Sequence, residues 1–447
     1  MSNSVIGKSF PRSDAVLQVT GQSQYGEDVF RPGMLHAAIL RSKHAHAKVL
    51  KIDTSAAEKL AGVRAVITSK DVPHNRFGFT HQDQPLLVDE RVRHYGDAVA
   101  AVAADSWEAA QEALQLIKVD YQPLPALFDP LEAMKPESIK IHGDSNLASH
   151  LKIRTGDVEQ GWKQSDVIFE ERMSTPMVEH AHIEPHAAYA EILPSGELLV
   201  MSSLQRPFLV ASDMSKILKM PMNNIRIVTT AVGGGFGGKN ELTMEPVLAL
   251  LALKTRKPVK TTFTREDEFE VSTVRHPYLL RYKSGLKKDG TLVAREVEII
   301  SDSGAYVCWG ESTLTKACVH AAGPYRIPNV RIDGYVVYTN KPVGGAMRGF
   351  GVTQLGFAYE VHMETLAAEL GLDPVEFRLK NMFVDNSALP TGQVLDTVTI
   401  TECVNRAMEL SGWREDLAKP HPGSPASAAV AIAGVETVVW ESEVKAL

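Results

Sequence analysis

At 447 residues, 44% apolar and 23% charged, with a net charge of −7, the chain can bury a large core and is expected to divide into two or more domains. The charge is spread along the sequence with no basic run of five, which argues against nucleic acid and anionic membranes and leaves small molecules or proteins as partners. Cys308, Cys318 and Cys403 form no C-x-x-C pair, Met1 to Phe10 lacks a signal-peptide core, and no uncharged apolar run approaches the roughly 20 residues that span a bilayer, so a cytoplasmic, non-membrane protein is expected.

In chain order, residues 1–20 read as an N-terminal arm. From 21 to 129, short strands such as MLHAAIL (Met34 to Leu40) and DAVAAVAA (Asp97 to Ala104) alternate with helices. SWEAAQEALQLI (Ser106 to Ile117) carries apolar residues at helical spacing, with Ser106 as N-cap. Residues 130–152 turn to Pro, Lys, Ser, Asn and Gly and read as a surface linker. A second domain, 153–413, holds longer β-rich runs (DVIFEERMST, GELLVMSSLQ, PVKTTFT, VAREVEIISDSGAY) separated by helices in LVASDMSKIL and FAYEVHMETLAAEL, so the fold class is mixed α/β, α+β in character. Residues 414–447 change texture again, as a docking tail, an edge strand or a partly disordered segment.

The densest signal is Ile225 to Thr255, IRIVTTAVGGGFGGKNELTMEPVLALLALKT, a strand running to Val232, a glycine-rich turn and a helix through Met244 to Leu253. Gly233 to Lys239 fits G-x-x-x-x-G-K, but Asn240 stands where a nucleoside-triphosphate loop needs a Ser or Thr for Mg²⁺. Gly233, Gly235 and Gly238 also fit G-x-G-x-x-G, without an acidic residue at the expected distance of roughly 20 residues. A bare turn needs fewer glycines than this one has, so something is expected to approach this backbone closely.

Elsewhere Gln205 ends a strand before Arg206-Pro207, and its amide could hold an oxo or hydroxo group without supplying charge. Ala346 to Gly351 is a second glycine-flanked loop, in which Arg348 could bind an anion and Phe350 could wall a pocket for a flat substrate. Glu179 to His186 has alternating His and Glu at metal-ligand spacing. Pro185 interrupts the strand before His186 and no further ligand is evident, so His180, His182 and His186 are not expected to bind metal, nor are His44 and His46.

Gln205, the Gly233 to Lys239 loop, RHPYLLRYK (Arg275 to Lys283), PYRIPNV (Pro324 to Val330) and MRGFG (Met347 to Gly351), with VTGQSQYGEDV and HAHAKV upstream, together resemble the molybdenum hydroxylase family of xanthine dehydrogenase, aldehyde oxidoreductase and nicotinate dehydrogenase. The likeness runs from about Ser13 to Trp413. It implies an N-terminal α/β hammerhead domain followed by the first half of a molybdopterin-binding domain. By resemblance, Gln205 and the backbone of Gly234, Gly235, Phe236, Gly237 and Arg348 bind the cofactor, with Gln205, Phe236 and Arg348 near molybdenum without ligating it. Phe350 stacks on an aromatic substrate, and Asn240 and Lys316 stand where xanthine enzymes carry a substrate-binding glutamate and arginine. Xanthine itself is therefore less favoured than another N-heteroaromatic or an aldehyde.

The reaction implied is hydroxylation by water with a glutamate as general base. That glutamate belongs to the family's distal half, which this chain does not contain, and Glu436 comes too early to replace it. The expectation is a split enzyme: a second molybdopterin subunit supplies the glutamate, the pterin carries a cytosine dinucleotide, and electrons leave through [2Fe–2S] and FAD subunits, since no cysteine set for such clusters is present. A truncated inactive subunit, a scaffold without molybdenum and a phosphate-loop nucleotide-binding protein are the alternatives.

Overall fold

The computed structural model describes residues 5–413 and 440–446. They form two compact units that are not contiguous in sequence. The first comprises residues 5–77, Gln84–Leu124 and His180–Ser272; the second comprises Gly78–Asp83, Pro125–Glu179 and the described residues from Thr273 onward.

The first unit is built on a seven-stranded sheet in the order Ile225–Thr229, Leu198–Ser202, Ala187–Ile192, Val259–Thr262, Leu35–Arg41, Ala98–Ala104, Val63–Thr68. Strands from either side of residue 130 therefore share one sheet. The junction is a parallel pairing of Leu35 with Val259 and His36 with Lys260, while Leu35–Arg41 pairs antiparallel with Ala98–Ala104 on its other side. Ala98–Ala104 is buried along almost its whole length, which explains its unbroken run of Ala and Val where an exposed strand would alternate. The helix Glu245–Thr255 is buried at every position from Glu245 to Ala252. An apolar surface all round suits a helix enclosed in a core, and its leucines join Val200, Met214 and Val259 there. Trp107–Leu116 is a helix, and the Ser106 hydroxyl caps it by accepting from the Ala109 amide at 3.2 Å.

The second unit carries a six-stranded sheet in the order Trp440–Ala446, Val167–Thr175, Tyr278–Leu286, Leu292–Gly304, Asn329–Tyr338, Leu147–Thr155. Leu292–Gly304 and Asn329–Tyr338 run parallel, and the helix Gly310–His320 lies between them in sequence. The core holds a buried guanidinium. Arg295 donates to Ser284 Oγ at 3.0 Å and to the Ala322 carbonyl at 2.8 Å, which satisfies a charge that would otherwise be costly to bury.

Two sequence expectations take a different form here. The stretch 130–152, read as a surface linker, contains the helix Pro130–Ala133 and the start of the strand Leu147–Thr155. Within the tail, Trp440–Ala446 is an edge strand antiparallel to Val167–Thr175, whereas residues 414–439, with Glu436, lie outside the described residues. Among the described residues no helix is long and apolar enough to cross a membrane.

Candidate functional site

The strand Ile225–Thr229 stops short of Val232, and the chain is then held by the Ala231 amide, which donates to the Gln24 carbonyl at 2.9 Å. The following loop is fastened at both ends. At its entrance the Gly233 amide donates to Glu184 Oε2 at 2.6 Å and the Glu184 amide returns a bond to the Gly233 carbonyl at 3.2 Å. At its exit Gln205 Oε1 accepts from the Gly237 amide at 2.9 Å and the Lys239 amide at 3.4 Å, while the Gln205 backbone N–H donates to the Lys239 carbonyl at 2.9 Å. A Cβ on Gly235 would lie 2.6 Å from Gln205 Oε1, and one on Gly233 would lie 2.6 Å from Glu184 Cβ. These glycines are thus required by the protein's own side chains, a cause that the sequence reading had assigned to a ligand.

What remains open is the middle. The amides of Gly234, Gly235 and Phe236 make no hydrogen bond to any described residue, and neither does Gln205 Nε2. Phe236 sits in the left-handed region at φ 52° and is 47% exposed as a residue. Adjacent unpartnered N–H groups in a loop that passes through left-handed backbone form a concavity suited to electron-rich oxygen atoms.

Beneath the loop lies a buried charged framework. Lys239 Nζ, with no exposed side-chain surface, pairs with Glu184 Oε2 at 2.7 Å. His186 Nε2 donates to the Gly238 carbonyl at 2.9 Å, and its Nδ1 faces both Glu268 oxygens at 3.0 and 2.9 Å. Burial of this imidazole opposes protonation, but the hydrogen bond and charge of Glu268 outweigh it and the His186 pKa is raised. Burial likewise works against the Glu268 carboxylate, and His186 reverses that effect, so the Glu268 pKa is lowered.

His182, His186 and Glu268 present three ligand atoms within 4.8 Å of one another. The sequence reading found no further ligand near the histidines because Glu268 arrives from the helix Arg265–Val271. Even so, both nitrogens of His186 are engaged in hydrogen bonds, and the Lys239 ammonium adds positive charge nearby. A divalent ion there would have to displace the hydrogen bonds that His186 makes through both ring nitrogens. His44 and His46 lie outside it.

Gln205, Gly234, Gly235, Phe236 and Gly237 thus come together in the first unit, with Asn240 just past the loop, where its amide donates to the Gly237 carbonyl at 3.3 Å. Lys316, Arg348 and Phe350 belong to the second unit. There Arg275 supports the second loop from beneath, donating to the Arg348 carbonyl at 2.9 Å and to Thr353 Oγ1 at 2.6 Å. Arg348 is exposed and Phe350 takes φ 54°. The Phe350 ring meets Trp309 edge-on at 5.9 Å, and Trp309 stacks on Phe79 at 4.1 Å, forming an aromatic wall. Lys316 is exposed on the helix Gly310–His320, whose Thr313 carbonyl would lie 2.4 Å from a Cβ on Gly351. Sequence reasoning missed Phe79 and Trp309; an isolated aromatic in FGFTHQ or YVCWG carries no local signal.

Comparison with known proteins decides what this arrangement belongs to. Residues 141–382 match the molybdopterin cofactor-binding domain, and residues 20–125 match the a/b hammerhead domain of aldehyde oxidase and xanthine dehydrogenase. The chain is 40% identical over 417 residues to the nicotinate dehydrogenase large molybdopterin subunit of Eubacterium barkeri, covering 92% of this chain and 98% of that protein. The chain belongs to the molybdenum hydroxylase family.

Within the molybdenum hydroxylases its extent is that of an N-terminal part, the hammerhead plus the first molybdopterin-binding domain. It spans about half the length of other relatives. A probable xanthine dehydrogenase subunit of Bacillus subtilis is 42% identical over 372 residues, covering 83% of this chain and 50% of that protein. The aldehyde oxidoreductase structure from Desulfovibrio gigas superposes with a TM-score of 0.89 at 32% identity, covering 93% of this chain and 48% of that one. Membership gives the chain an oxidoreductase class and a molybdopterin cofactor. The unpartnered amides of Gly234, Gly235 and Phe236 fit such a group, which presents oxygen and sulfur acceptors. A nucleotide-binding loop does not fit, because Lys239 Nζ is buried against Glu184 and the following helix begins only at Glu245.

Proposed function

We propose that this chain forms the larger half of the active site of a split molybdenum hydroxylase that hydroxylates an N-heteroaromatic ring with oxygen from water. One observation carries the reading: three consecutive loop amides that find no partner among the described residues lie beside a Gln side chain whose Nε2 finds none among them either. The amides of Gly234, Gly235 and Phe236 would hold the cofactor, with the Gln205 side-chain amide as a neutral hydrogen-bond donor toward it. When bound, the cofactor supplies the two-electron oxidation and the site at which water is activated.

This chain's residues then bind and orient the ring. Phe350, backed by Trp309 and Phe79, offers a flat apolar surface that suits a heteroaromatic better than an aliphatic aldehyde. Lys316 is the cation for a carboxylate or ring carbonyl. The 40% identical relative bears the name of a nicotinate dehydrogenase, which supports the heteroaromatic reading over an aldehyde substrate. Its designation as a large molybdopterin subunit favours a second molybdopterin subunit, carrying the distal half and the glutamate base, over a truncated inactive product. Iron–sulfur and FAD subunits complete the proposed complex, and the pterin is proposed in its cytosine dinucleotide form.

Purification of the native complex, with metal and pterin analysis and turnover assays in ¹⁸O-labelled water, tests the whole reading. The expected result is about one molybdenum per chain, a co-purifying subunit resembling the missing half, and label in a hydroxylated N-heteroaromatic product. A complex without molybdenum would leave only a scaffold role.

A further inference from the structure

Lys239 occupies an unusual position. Its backbone amide and carbonyl both bond to Gln205 at the loop's exit, while its side chain runs beneath the loop to the carboxylate that holds the entrance. That carboxylate, Glu184, accepts at Oε2 from both Lys239 Nζ and the Gly233 amide, and at Oε1 from the Gly26 amide at 3.4 Å. One buried ion pair therefore joins the two ends of Gly233 to Lys239 and links them to the Tyr25-Gly26 segment. No exposed surface remains on the Lys239 side chain, and Glu184 retains 11%, so neither group faces bulk solvent as a ligand-binding charge would.

We infer that Lys239 and Glu184 are positioning residues that close the neck of the glycine loop and so fix the outward aim of the Gly234, Gly235 and Phe236 amides. The inference rests on the reading of that loop as a cofactor cradle, and it adds a reason for a lysine at the end of the glycine run that has nothing to do with phosphate. The energetic logic is that of a buried pair. Removing one partner leaves an uncompensated charge in the interior, whereas removing both leaves none. Bonds at both ends also deny the loop the alternative conformations that its glycines would otherwise permit.

The test compares wild type, Lys239→Met, Lys239→Arg, Glu184→Gln and the double variant Glu184→Gln/Lys239→Met in the purified full-length complex. Two readouts are taken: hydrogen–deuterium exchange at the amides of Gly233, Gly237 and Gly238, each bonded within the loop framework, and molybdenum per chain. Lys239→Met is expected to speed loop exchange at least tenfold while the helix Glu245–Thr255 keeps its protection, and to lower molybdenum content by more than half. Lys239→Arg should recover part of both losses, and the double variant should exchange more slowly than Lys239→Met. Wild-type exchange and full molybdenum in Lys239→Met would overturn the inference. So would a double variant as loose as the sum of the single ones. If Lys239→Met does not fold, Glu184→Gln, which keeps an acceptor for Gly233, gives the same reading in milder form, and unchanged loop exchange there counts against the pair. A wild-type complex with no molybdenum but a loop that loosens in Lys239→Met would sink the cofactor reading while leaving the ion pair's role intact.

Discussion

At the scale of single residues, contacts inside the glycine loop determine what substitutions should do. Gly235→Ala places a Cβ against Gln205 Oε1 and must displace that side chain or the loop. Its kcat/KM is expected to fall at least tenfold with little change in melting temperature, as measured by steady-state kinetics beside thermal unfolding. Lys316→Ala is expected to raise KM several-fold for an anionic substrate and much less for a neutral one, and equal effects would remove Lys316 from the pocket. The His186–Glu268 pair gives a pH dependence whose sign follows from its shifts. The His186 pKa is raised above the ordinary 6.5, so its stabilisation is complete below 6.5 and is lost as pH climbs through the raised value. The Glu268 pKa is lowered below 4.5, so its contribution is present above 4.5 and is lost as pH falls through the lowered value. Exchange at Gly238, whose carbonyl His186 holds, is expected to be slowest relative to the intrinsic rate between those limits and to accelerate on the alkaline side.

Among elements, those legible in the sequence were the ones with local patterns. The strand Ala98–Ala104 and the enclosed helix Glu245–Thr255 follow from continuous apolar runs, and the helix Trp107–Leu116 follows from helical spacing and its Ser106 cap. Of the candidate site, Gln205 and the glycine loop do meet, and their motifs announced them. The partners that give the loop its shape did not. Glu268 is brought to His186 from 82 residues away, and Glu184 looked like one more acid in a His-rich run. Such pairings depend on tertiary packing, which leaves no periodic trace. The helix Glu245–Thr255 also carries its own prediction. Leu248 is fully buried in the first unit's core, so Leu248→Ala should cost about 2–5 kcal/mol in chemical denaturation and loosen the loop that precedes the helix.

For the molecule as a whole, the two units should respond differently to acid. In the second unit His276 and His362 are buried, and desolvation pushes each pKa down to about 4. A neutral buried histidine favours folding above its unfolded value near 6.5, and that advantage is lost as pH falls toward 4, at about 1.4 kcal/mol per pH unit for each ring. Unfolding followed separately in the two units, by exchange on their sheets, should show the second unit weakening steeply between pH 6.5 and 4. The first unit's His186–Glu268 pair is at full strength over most of that interval.

The pairing of Leu35 with Val259 has a bearing on how the polypeptide is made. More than two hundred residues must leave the ribosome before that edge finds its neighbour, so the nascent N-terminal portion waits with a naked β edge and its docking helix not yet synthesised. A fragment ending near residue 129 should accordingly aggregate or bind chaperones when expressed alone, and co-expression of the segment from His180 to Ser272 should rescue its solubility.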